Sequence, residues 1–514
     1  MIETAVSDHG LVVAPHPAAA ETGRMILIEG GNAYEAAVAM AATAAVARGD
    51  VAGLGGDGLW LAREPSGVVR AIDACGTPAR GATRAGFGAL GYDAIPRRGA
   101  MAALAAPGAV EGWRLALEIA AACGGRLPLK VLFADAIRLA REGVALSAGF
   151  AARLSEAAGD LKPQPGFAAA FFVDDRPLTA GDALVQPRLA DALEHLARAG
   201  LNDFYAGDVG RELAADLERL GAPLTRDDLR RVDARLRRPL QVPLAGGIAY
   251  GARPQGLGAL ALLGIADRLG LADDRDAGFI HGLSEASTRA AHLRDRAEKD
   301  RDSDLDTALG ADALQREADA VDPRRASPPE LGFRGEGAWF GVVDAEGRAV
   351  SVVQTLHDPF GAGCLSLATG VLIHNGGAGL SLDPDAAHAL EPGARPPLGV
   401  TPGLATLSAR GDLLVFGGGA EAQAAAASRR IRFGRGVGDA LGGPRGRLVH
   451  GALRVEPRFD GEALDRLERM GHRVELSGEA YDRAQGAAGL IARSASGRSE
   501  GGADPRDDGA ALGL

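Results

Sequence analysis

The hydrophobic pattern of the chain changes character just past its middle. Within residues 334–355, the strand-forming run AWFGVVD is followed by the turn AEG and by RAVSVVQT, in which β-branched residues alternate with others. Two such runs around a short glycine-containing turn predict a β-hairpin. Upstream, RLADALEHLARAG and DVGRELAADLERLG repeat apolar residues every three or four positions and end in glycine, which predicts amphipathic helices.

The order of these patterns predicts an α+β protein built in layers. Near the N-terminus a short strand precedes a helix from about Ala18 to Glu29, which ends at Gly30-Gly31 before a second helix. Residues from about 109 to 300 are mostly helical, and strands dominate after Gly335. The segment 294–331 is highly charged and ends near prolines, so we expect its helix to give way to an exposed linker.

Composition and charge narrow the class of protein. The 514 residues are 46% hydrophobic, as in soluble globular proteins, and a net charge of −11 without a long basic run argues against a nucleic-acid partner. Cys75, Cys123 and Cys364 are too few for a disulfide framework or a zinc site.

The N-terminus lacks the basic region of a signal peptide, and no apolar window approaches the ~18 residues that span a bilayer. We therefore expect a cytoplasmic protein without membrane contact.

Four stretches, in this order, carry a resemblance to a known family. They are APHPAAAETGRMILIEGGNAYEAAVA, GLGGDGLWL, YDAIPRRGAMAALAAPGAVEGW and WFGVVDAEGRAVSVVQTLHDPFGAG. Together they resemble the gamma-glutamyltransferase family of N-terminal-nucleophile hydrolases, closest to its acylase and oxamate-amidohydrolase-like branch. The segments LDPDAAHALEPGARP and GRSEGGADPRDDGAALG extend the resemblance over nearly the whole chain.

The resemblance implies a four-layer αββα sandwich and a reaction for which no cofactor is expected. In this family the precursor cuts itself before a threonine, whose hydroxyl then attacks an amide while its freed amine serves as the general base. Backbone N–H groups of a Gly-Gly turn stabilise the oxyanion. The resemblance thus divides the chain into a large-subunit-like half, residues 1–336, and a small-subunit-like half, residues 337–514, intertwined in one structural domain.

At the expected cut the chain departs from the family pattern. Aligned on GVVD (residues 341–344), the nucleophile position is Gly337, and its neighbours Glu336 and Ala338 also lack a hydroxyl or thiol. Glycine can neither cut the chain nor attack a substrate, and loss of such a nucleophile typically lowers kcat by about 10⁴–10⁶. We therefore expect no self-cleavage.

Further departures lie where the chemistry should occur. Gly376 stands in place of an arginine beside the family's pocket, and Ala74-Cys75 replace the Arg-Glu pair that true gamma-glutamyl enzymes place on the substrate's α-carboxylate. The oxyanion turn survives only as FGGGAEAQ, shortened by several residues around Gly418 and Gly419. The motifs of the scaffold are retained, whereas the departures are concentrated at the expected reaction centre. This distribution favours a natural non-catalytic homologue.

A few polar residues remain as candidates for a substrate pocket. They are Asp57, Gln354, Thr355 and Asn375, together with the oxyanion glycines 418 and 419. The alternative for Asp57 is a turn cap, and buried amides such as those of Gln354 and Asn375 more often satisfy backbone groups.

Substitute nucleophiles and metal ligands are weak alternatives. Ser351, Thr355 and Cys364 lie in range of the expected cut, but strand packing accounts for the first two and a buried structural thiol for the third. The ten histidines show no metal-ligand spacing, and we expect His357 and His374, on separate elements, to lie far apart. No metal is predicted, and GLGGDG lacks the spacing of a nucleotide-binding loop.

Three hypotheses follow. The first is a catalytically impaired, uncut homologue that binds a small amide- or carboxylate-bearing ligand or a partner protein. The second is an active amidohydrolase, acylase or gamma-glutamyltransferase-type hydrolase that uses a substitute nucleophile. The third is a biosynthetic enzyme that uses the old pocket for non-hydrolytic chemistry. For any of them a homodimer is the default assembly.

Overall fold

Two seven-stranded β-sheets lie face to face at the centre of the computed structural model, which describes residues 2–299, 304–328, 333–408 and 411–514. The strands are β1 (Ala5–Ser7), β2 (Leu11–Ala14), β3 (Asp57–Arg63), β4 (Val69–Ala74), β5 (Val144–Ala145), β6 (Phe172–Val173), β7 (Arg176–Pro177), β8 (Ala183–Leu184), β9 (Arg235–Arg237), β10 (Leu240–Leu244), β11 (Gly247–Gly251), β12 (Glu336–Val343), β13 (Ala349–His357), β14 (Val400–Leu407), β15 (Leu413–Gly419), β16 (Gly446–Val449), β17 (Ala452–Val455), β18 (Val474–Leu476), β19 (Ala488–Arg493), β20 (Ser499–Ala503) and β21 (Ala510–Gly513).

Helices cover the outer faces of these sheets. They are α1 (Pro17–Ile28), α2 (Ala33–Ala47), α3 (Arg84–Ala89), α4 (Ala109–Ala122), α5 (Leu129–Leu132), α6 (Ala134–Glu142), α7 (Ala148–Leu161), α8 (Phe167–Phe171), α9 (Pro187–Ala199), α10 (Asp203–Ala206), α11 (Asp208–Leu220), α12 (Arg226–Leu229), α13 (Leu257–Arg268), α14 (Ala277–Lys299), α15 (Leu305–Ala308), α16 (Ala311–Asp319), α17 (Ala420–Ile431), α18 (Val437–Gly442) and α19 (Gly461–Arg469).

Both central sheets are antiparallel throughout. Sheet 1 has the strand order β21-β2-β12-β13-β3-β4-β9, and sheet 2 has the order β1-β20-β19-β15-β14-β11-β10. Each sheet contains strands from before and after Gly337. The predicted hairpin is confirmed as β12 and β13, two neighbouring strands in the middle of sheet 1.

Three hydrophobic cores separate four layers. The first core packs helices such as α2 and α4 against sheet 1, the second lies between the two sheets, and the third packs α13, α14 and α17 against sheet 2. Side chains of β12 alternate between cores, since Phe340 and Val342 face the helices while Trp339 and Val343 face sheet 2. The structure is therefore the four-layer αββα sandwich that the resemblance implied.

The first two helices begin and end as their sequence predicts. Pro17 occupies the first turn of α1, where a missing N–H costs nothing, and α1 ends at Ile28 just before the two glycines. Asn32 and Glu35 form a capping box at the start of α2, each side chain accepting the other residue's backbone N–H. All fifteen residues of α2 are buried, and its many alanines allow close packing on neighbouring helices.

Trp339 fills the space between the two sheets. Its ring lies over Gly341 of its own strand and over Gly417 and Gly489 of sheet 2, where an added Cβ would come within 2.7, 2.2 and 1.9 Å of indole atoms. The indole Nε1–H donates to Ser351 Oγ at 2.9 Å, and Ser351 Oγ donates to the carbonyl of Phe416 at 2.8 Å. One tryptophan thus joins the sheets by packing and by a hydrogen-bonded bridge.

The charged segment 294–331 is more ordered than we expected. Residues 300–303 and 329–331 lie outside the described residues, but α14 continues to Lys299, and α15 and α16 follow. Leu314 and Ala318 of α16 are buried in the third core. The prediction of an exposed linker was therefore wrong for α16, because apolar residues spaced four apart face α13 despite the surrounding charge.

Within the described parts of the chain, no helix combines the length and the apolar character needed to cross a bilayer.

The packing around Trp339 predicts that Gly489→Ala lowers the free energy of unfolding by about 1–3 kcal/mol, because the new methyl group overlaps the indole. Urea denaturation measures the change. Gly461→Ala is the matched control: it adds the same methyl group at the start of α19, where no heavy atom lies within 4 Å. Equal stability of the Gly489→Ala variant and the unmodified protein would contradict this account of the sheet interface.

Candidate functional site

Gly337, which the resemblance assigns to the family's nucleophile position, is the second residue of β12. Glu336 pairs with His357 and Ala338 pairs with Gln354, so Gly337 occupies an irregularity opposite Thr355 and Leu356 of β13. An added Cβ at Gly337 would lie 3.0 Å from Gln354 O, 3.0 Å from Thr355 Cβ and 3.1 Å from Val400 Cγ2. Even a methyl group therefore requires its neighbours to move by a few tenths of an ångström.

A buried charge network holds the residue before Gly337. The Glu336 carboxylate pairs with Arg153 at 2.9 Å, and Arg153 also contacts Asp50 at 3.2 Å. Asp50 in turn pairs with Arg48 at 3.0 Å, and both side chains are almost fully buried. Glu336 is thus linked through Arg153 to the buried pair of Asp50 and Arg48.

Thr355 contacts the peptide group at the expected cut. Its hydroxyl donates to the Glu336 carbonyl and accepts the His357 N–H at 2.8 Å, and the side chain is buried. The hydroxyl proton is therefore engaged with the carbonyl of the Glu336–Gly337 bond. No imidazole or amine hydrogen-bonds to this oxygen as a base among the described residues.

Ser351 and Cys364, the other two candidates for a substitute nucleophile, are held in structural roles. Ser351 Oγ belongs to the Trp339 bridge between the sheets. Burial raises the pKa of Cys364 to about 11, so its thiol stays protonated near neutral pH. Neither group is activated for attack.

The oxyanion glycines lie inside the sheet rather than in a projecting turn. Gly418 pairs with Thr401 of β14 and with Ala488 of β19, and α17 begins directly after Gly419. The Gly419 N–H donates to Ala487 O at 3.0 Å, and the Ala420 N–H donates to Gly399 O at 2.9 Å. An oxyanion hole needs donors aimed at the reacting oxygen, and these two N–H groups already have protein acceptors.

Asp57 lies at the centre of a buried cluster that the sequence did not predict. Its Oδ1 accepts the N–H groups of Gly76 at 2.8 Å and Gly108 at 3.2 Å, and its Oδ2 lies 3.0 Å from His357 Nε2 and 3.8 Å from His374 Nδ1. The two imidazoles stack with ring centroids 5.3 Å apart. The expectation that these histidines lie far apart was wrong, because the loop after β13 returns to the start of β3, where the His374 N–H donates to Gly55 O.

This cluster sets unusual protonation states. Burial alone raises the pKa of Asp57, but His374, His357 and the backbone N–H of Gly76 outweigh it and hold that pKa below its ordinary value. Burial lowers the pKa of His374, which favours its neutral form. Asp57 therefore stays ionised, and its carboxylate links the backbone of Gly76 and Gly108 to the side chain of His357.

The glycine that replaces the family's arginine has a steric explanation. An added Cβ at Gly376 would lie 2.4 Å from His357 Nε2. His357 itself has a φ of +71°, a left-handed conformation uncommon for a residue with a side chain. The imidazole thus fills the space beside residue 376, and no side chain fits there.

The two amide candidates are both bonded to protein groups. Gln354 Oε1 accepts from Trp113 Nε1 at 3.0 Å, and its Nε2 donates to Gly53 O. Asn375 accepts the Asp358 N–H at 3.1 Å and donates to Arg97 O at 2.9 Å. Their role in ligand binding stays a prediction, as does that of Asp57, Thr355 and the two glycines.

Little space remains beside Gly337. The adjoining cavity, lined by Trp339 and Gly418 among others, has a volume of about 30 Å³, enough for about two water molecules. Two cavities of about 710 and 550 Å³ lie elsewhere, on either side of residues 391–395.

Comparison with known proteins agrees with this geometry at the level of the family. A family model described as gamma-glutamyltranspeptidase matches residues 19–514. The chain belongs to the gamma-glutamyltranspeptidase family. It is 40% identical to an oxamate amidohydrolase proenzyme of Klebsiella pneumoniae over 99% of both chains, and 30% identical to a glutathione hydrolase-like proenzyme of Bacillus subtilis over the full length of both. The crystal structure of a cephalosporin acylase from Bacillus halodurans superposes with a TM-score of 0.89 at 25% identity, covering 100% of this chain and 97% of that one.

A second histidine cluster lies away from the family's reaction centre, between α14 and the residues after α19. His281 Nε2 lies 2.8 Å from the carbonyl of Asp322 and donates to it, so His281 Nδ1 accepts from His472 Nε2 at 2.9 Å. Glu285, one turn after His281, accepts the N–H and hydroxyl of Ser327. Burial first, and then His281, lowers the pKa of His472 to about 4.

Within the described ranges, two groups of three side chains lie close enough to share an ion: Asp57 with His357 and His374, and His281 with Glu285 and His472. Hydrogen bonds join His357 to Asp57 and His472 to His281, whereas His374 lies 3.8 Å from Asp57 and its buried Nε2 has no hydrogen-bond partner among the described residues. The expectation that the chain binds no metal stays a prediction.

The low pKa of His472 predicts a loss of stability in mild acid. The unfolded chain takes up a proton near pH 6.5 while the folded chain resists protonation until about pH 4, so stability falls as the pH decreases between these values. The contribution of this group between pH 7 and pH 5 is about 2 kcal/mol. His472→Gln should show a correspondingly smaller difference in unfolding free energy between these two pH values.

The measurement is urea denaturation at both pH values, with His9→Gln as the control, because His9 is exposed. An unchanged pH dependence in His472→Gln would contradict the assigned role of burial.

Proposed function

We propose that this chain is an uncleaved, non-catalytic member of the gamma-glutamyltranspeptidase family that binds a small carboxylate- or amide-bearing molecule or a partner protein. The observation that carries the proposal is the backbone at the reaction centre. Gly337 offers no hydroxyl, and the N–H groups of Gly419 and Ala420 are bonded to protein carbonyls. A cytoplasmic location and a homodimer stay predictions.

The two deficits affect different parts of the same reaction. Amide hydrolysis needs a nucleophile to attack the carbonyl carbon, and it needs donors to hold the oxygen that becomes negative. Loss of the nucleophile typically lowers kcat by about 10⁴–10⁶, and loss of one oxyanion donor by about 10²–10³. Since the hydroxyl is absent at Gly337 and the Gly419 N–H is bonded to Ala487 O, we expect no turnover by the family's reaction.

The small volume beside Gly337 favours a binding role elsewhere on the molecule. About 30 Å³ is room for about two water molecules. The cavity of about 710 Å³ lies within the range of about 300–1,000 Å³ that ligand sites occupy.

An active amidohydrolase is the second candidate. The 40% identity over nearly the whole length of an oxamate amidohydrolase proenzyme favours it. In that case Thr355 is the first residue to consider as the nucleophile, because its hydroxyl contacts the Glu336–Gly337 peptide.

Restoring the missing threonine tests whether the surrounding machinery survives. We expect Gly337→Thr to remain a single chain after days at working temperature, because the oxyanion donors are occupied and the position is crowded. Mass spectrometry of the intact protein measures this, with Gly337→Ala as a control that adds bulk without a hydroxyl. Cleavage of Gly337→Thr alone, before residue 337, would mean that only the nucleophile had been lost.

Ammonia release from oxamate distinguishes the two candidate functions. The proposal predicts a rate no greater than that of Thr355→Val, in which a methyl group replaces the hydroxyl. Turnover by the unmodified protein that disappears in Thr355→Val would instead establish the amidohydrolase. Both proteins must show the same thermal unfolding midpoint, or the comparison is repeated with Thr355→Ser, which keeps the hydroxyl.

A further inference from the structure

The cavity of about 710 Å³ is separate from the space beside Gly337. Cys75, in its wall, follows β4, which lies three strands from β12 in sheet 1, a separation of about 14 Å. Its other walls come from residues 76–85, from 228–235 between α12 and β9, and from 390–395. Segments far apart in sequence therefore meet around this cavity.

Its lining is positively charged in an otherwise acidic protein. The chain has a net charge of −11, yet the lining carries five arginines against the three acids Asp228, Asp233 and Glu391. The arginines are Arg80, Arg84, Arg231, Arg235 and Arg395. Like charges gathered around a concave surface create a local positive potential that attracts anions.

Several of these guanidinium groups retain free donors. Within the described residues, the Arg80 side chain forms no ion pair or side-chain hydrogen bond. The other four arginines each contact one acid: Arg84 lies 3.5 Å from Glu391, Arg235 lies 3.4 Å from Asp233, Arg231 lies 2.9 Å from Asp228, and Arg395 lies 2.9 Å from Asp73. Since a guanidinium has five N–H groups and each of these contacts uses one nitrogen, the lining can donate to a further anion.

The remaining lining suits a small organic anion. Burial raises the pKa of Cys75 well above its ordinary value, so the thiol stays uncharged and does not repel an anion. Thr77 and Thr83 supply hydroxyls, while Val232 and Leu390 supply apolar surface. The wall thus combines fixed positive charge with apolar contact, as ligand sites commonly do.

We propose that this cavity binds a small dianion, carboxylate or phosphate, through Arg80 and Arg84. Guanidinium groups form charge-assisted hydrogen bonds, often in pairs, to either kind of anion. The inference deepens the proposed binding role and rests on it. It places the ligand in a cavity separate from the space beside Gly337, bordered by Cys75, and assigns its recognition to arginines other than the family's substrate-binding pair.

Isothermal titration calorimetry on the full chain tests the inference. The probes are succinate and pyrophosphate, with succinamide as the uncharged match to succinate. Arg80→Gln/Arg84→Gln removes two charges from the cavity, and Arg126→Gln is the control, because Arg126 is exposed and lines no cavity described above. Thermal unfolding midpoints show whether each variant is folded.

We expect at least one dianion to bind, no binding of succinamide, and Kd about tenfold or more higher in Arg80→Gln/Arg84→Gln than in Arg126→Gln. Affinity should fall as salt rises, since partly exposed charges are screened. The anion that binds more tightly identifies carboxylate or phosphate as the ligand class.

Absence of binding by both dianions, or equal affinity in the two variants, would overturn the assignment. Neither result depends on whether the chain cleaves itself. Self-cleavage with retained anion binding would overturn the non-catalytic proposal and leave this cavity assignment standing.

Discussion

Trp339 fixes the distance between the two central sheets at the place where the family's chemistry occurs. Its indole rests on glycines from both sheets and is held by the Ser351 bridge. Because β12 cannot move away from sheet 2, Gly337, two residues earlier, lies close to Val400 of β14. The same packing that stabilises the sandwich therefore leaves only about 30 Å³ beside Gly337.

The path of β15 has a comparable effect on the oxyanion donors. A turn that projects from the sheet can aim its N–H groups at a bound carbonyl, but here the strand runs directly into α17. The N–H group of Gly419, one of the two glycines that the resemblance assigns to the oxyanion turn, pairs with the carbonyl of Ala487, and the next N–H, of Ala420 in α17, pairs with the carbonyl of Gly399. The missing hydroxyl at Gly337 and the bonded N–H of Gly419 are the two observations on which the proposal of a non-catalytic family member rests.

Local sequence patterns predicted the secondary structure of the scaffold, whereas they did not predict contacts between residues far apart in the sequence. The β12–β13 hairpin and the helices α1, α9 and α11 follow from periodicity, glycine stops and the proline in the first turn of α1, all of which act within a few residues. The Asp57–His357–His374 cluster joins residues three hundred positions apart through a left-handed turn at His357. The spacing of these residues in the sequence gives no indication that they meet. The arginines around the large cavity come from three separate segments, so only the folded chain reveals their common surface.

The most direct test of the central claim is the intact mass of the freshly purified, unmodified protein, repeated after days at working temperature. The account predicts a single species of 52.4 kDa at both times. Two fragments that separate between Glu336 and Gly337 would contradict it, because they would require a nucleophile at a centre where none is assigned.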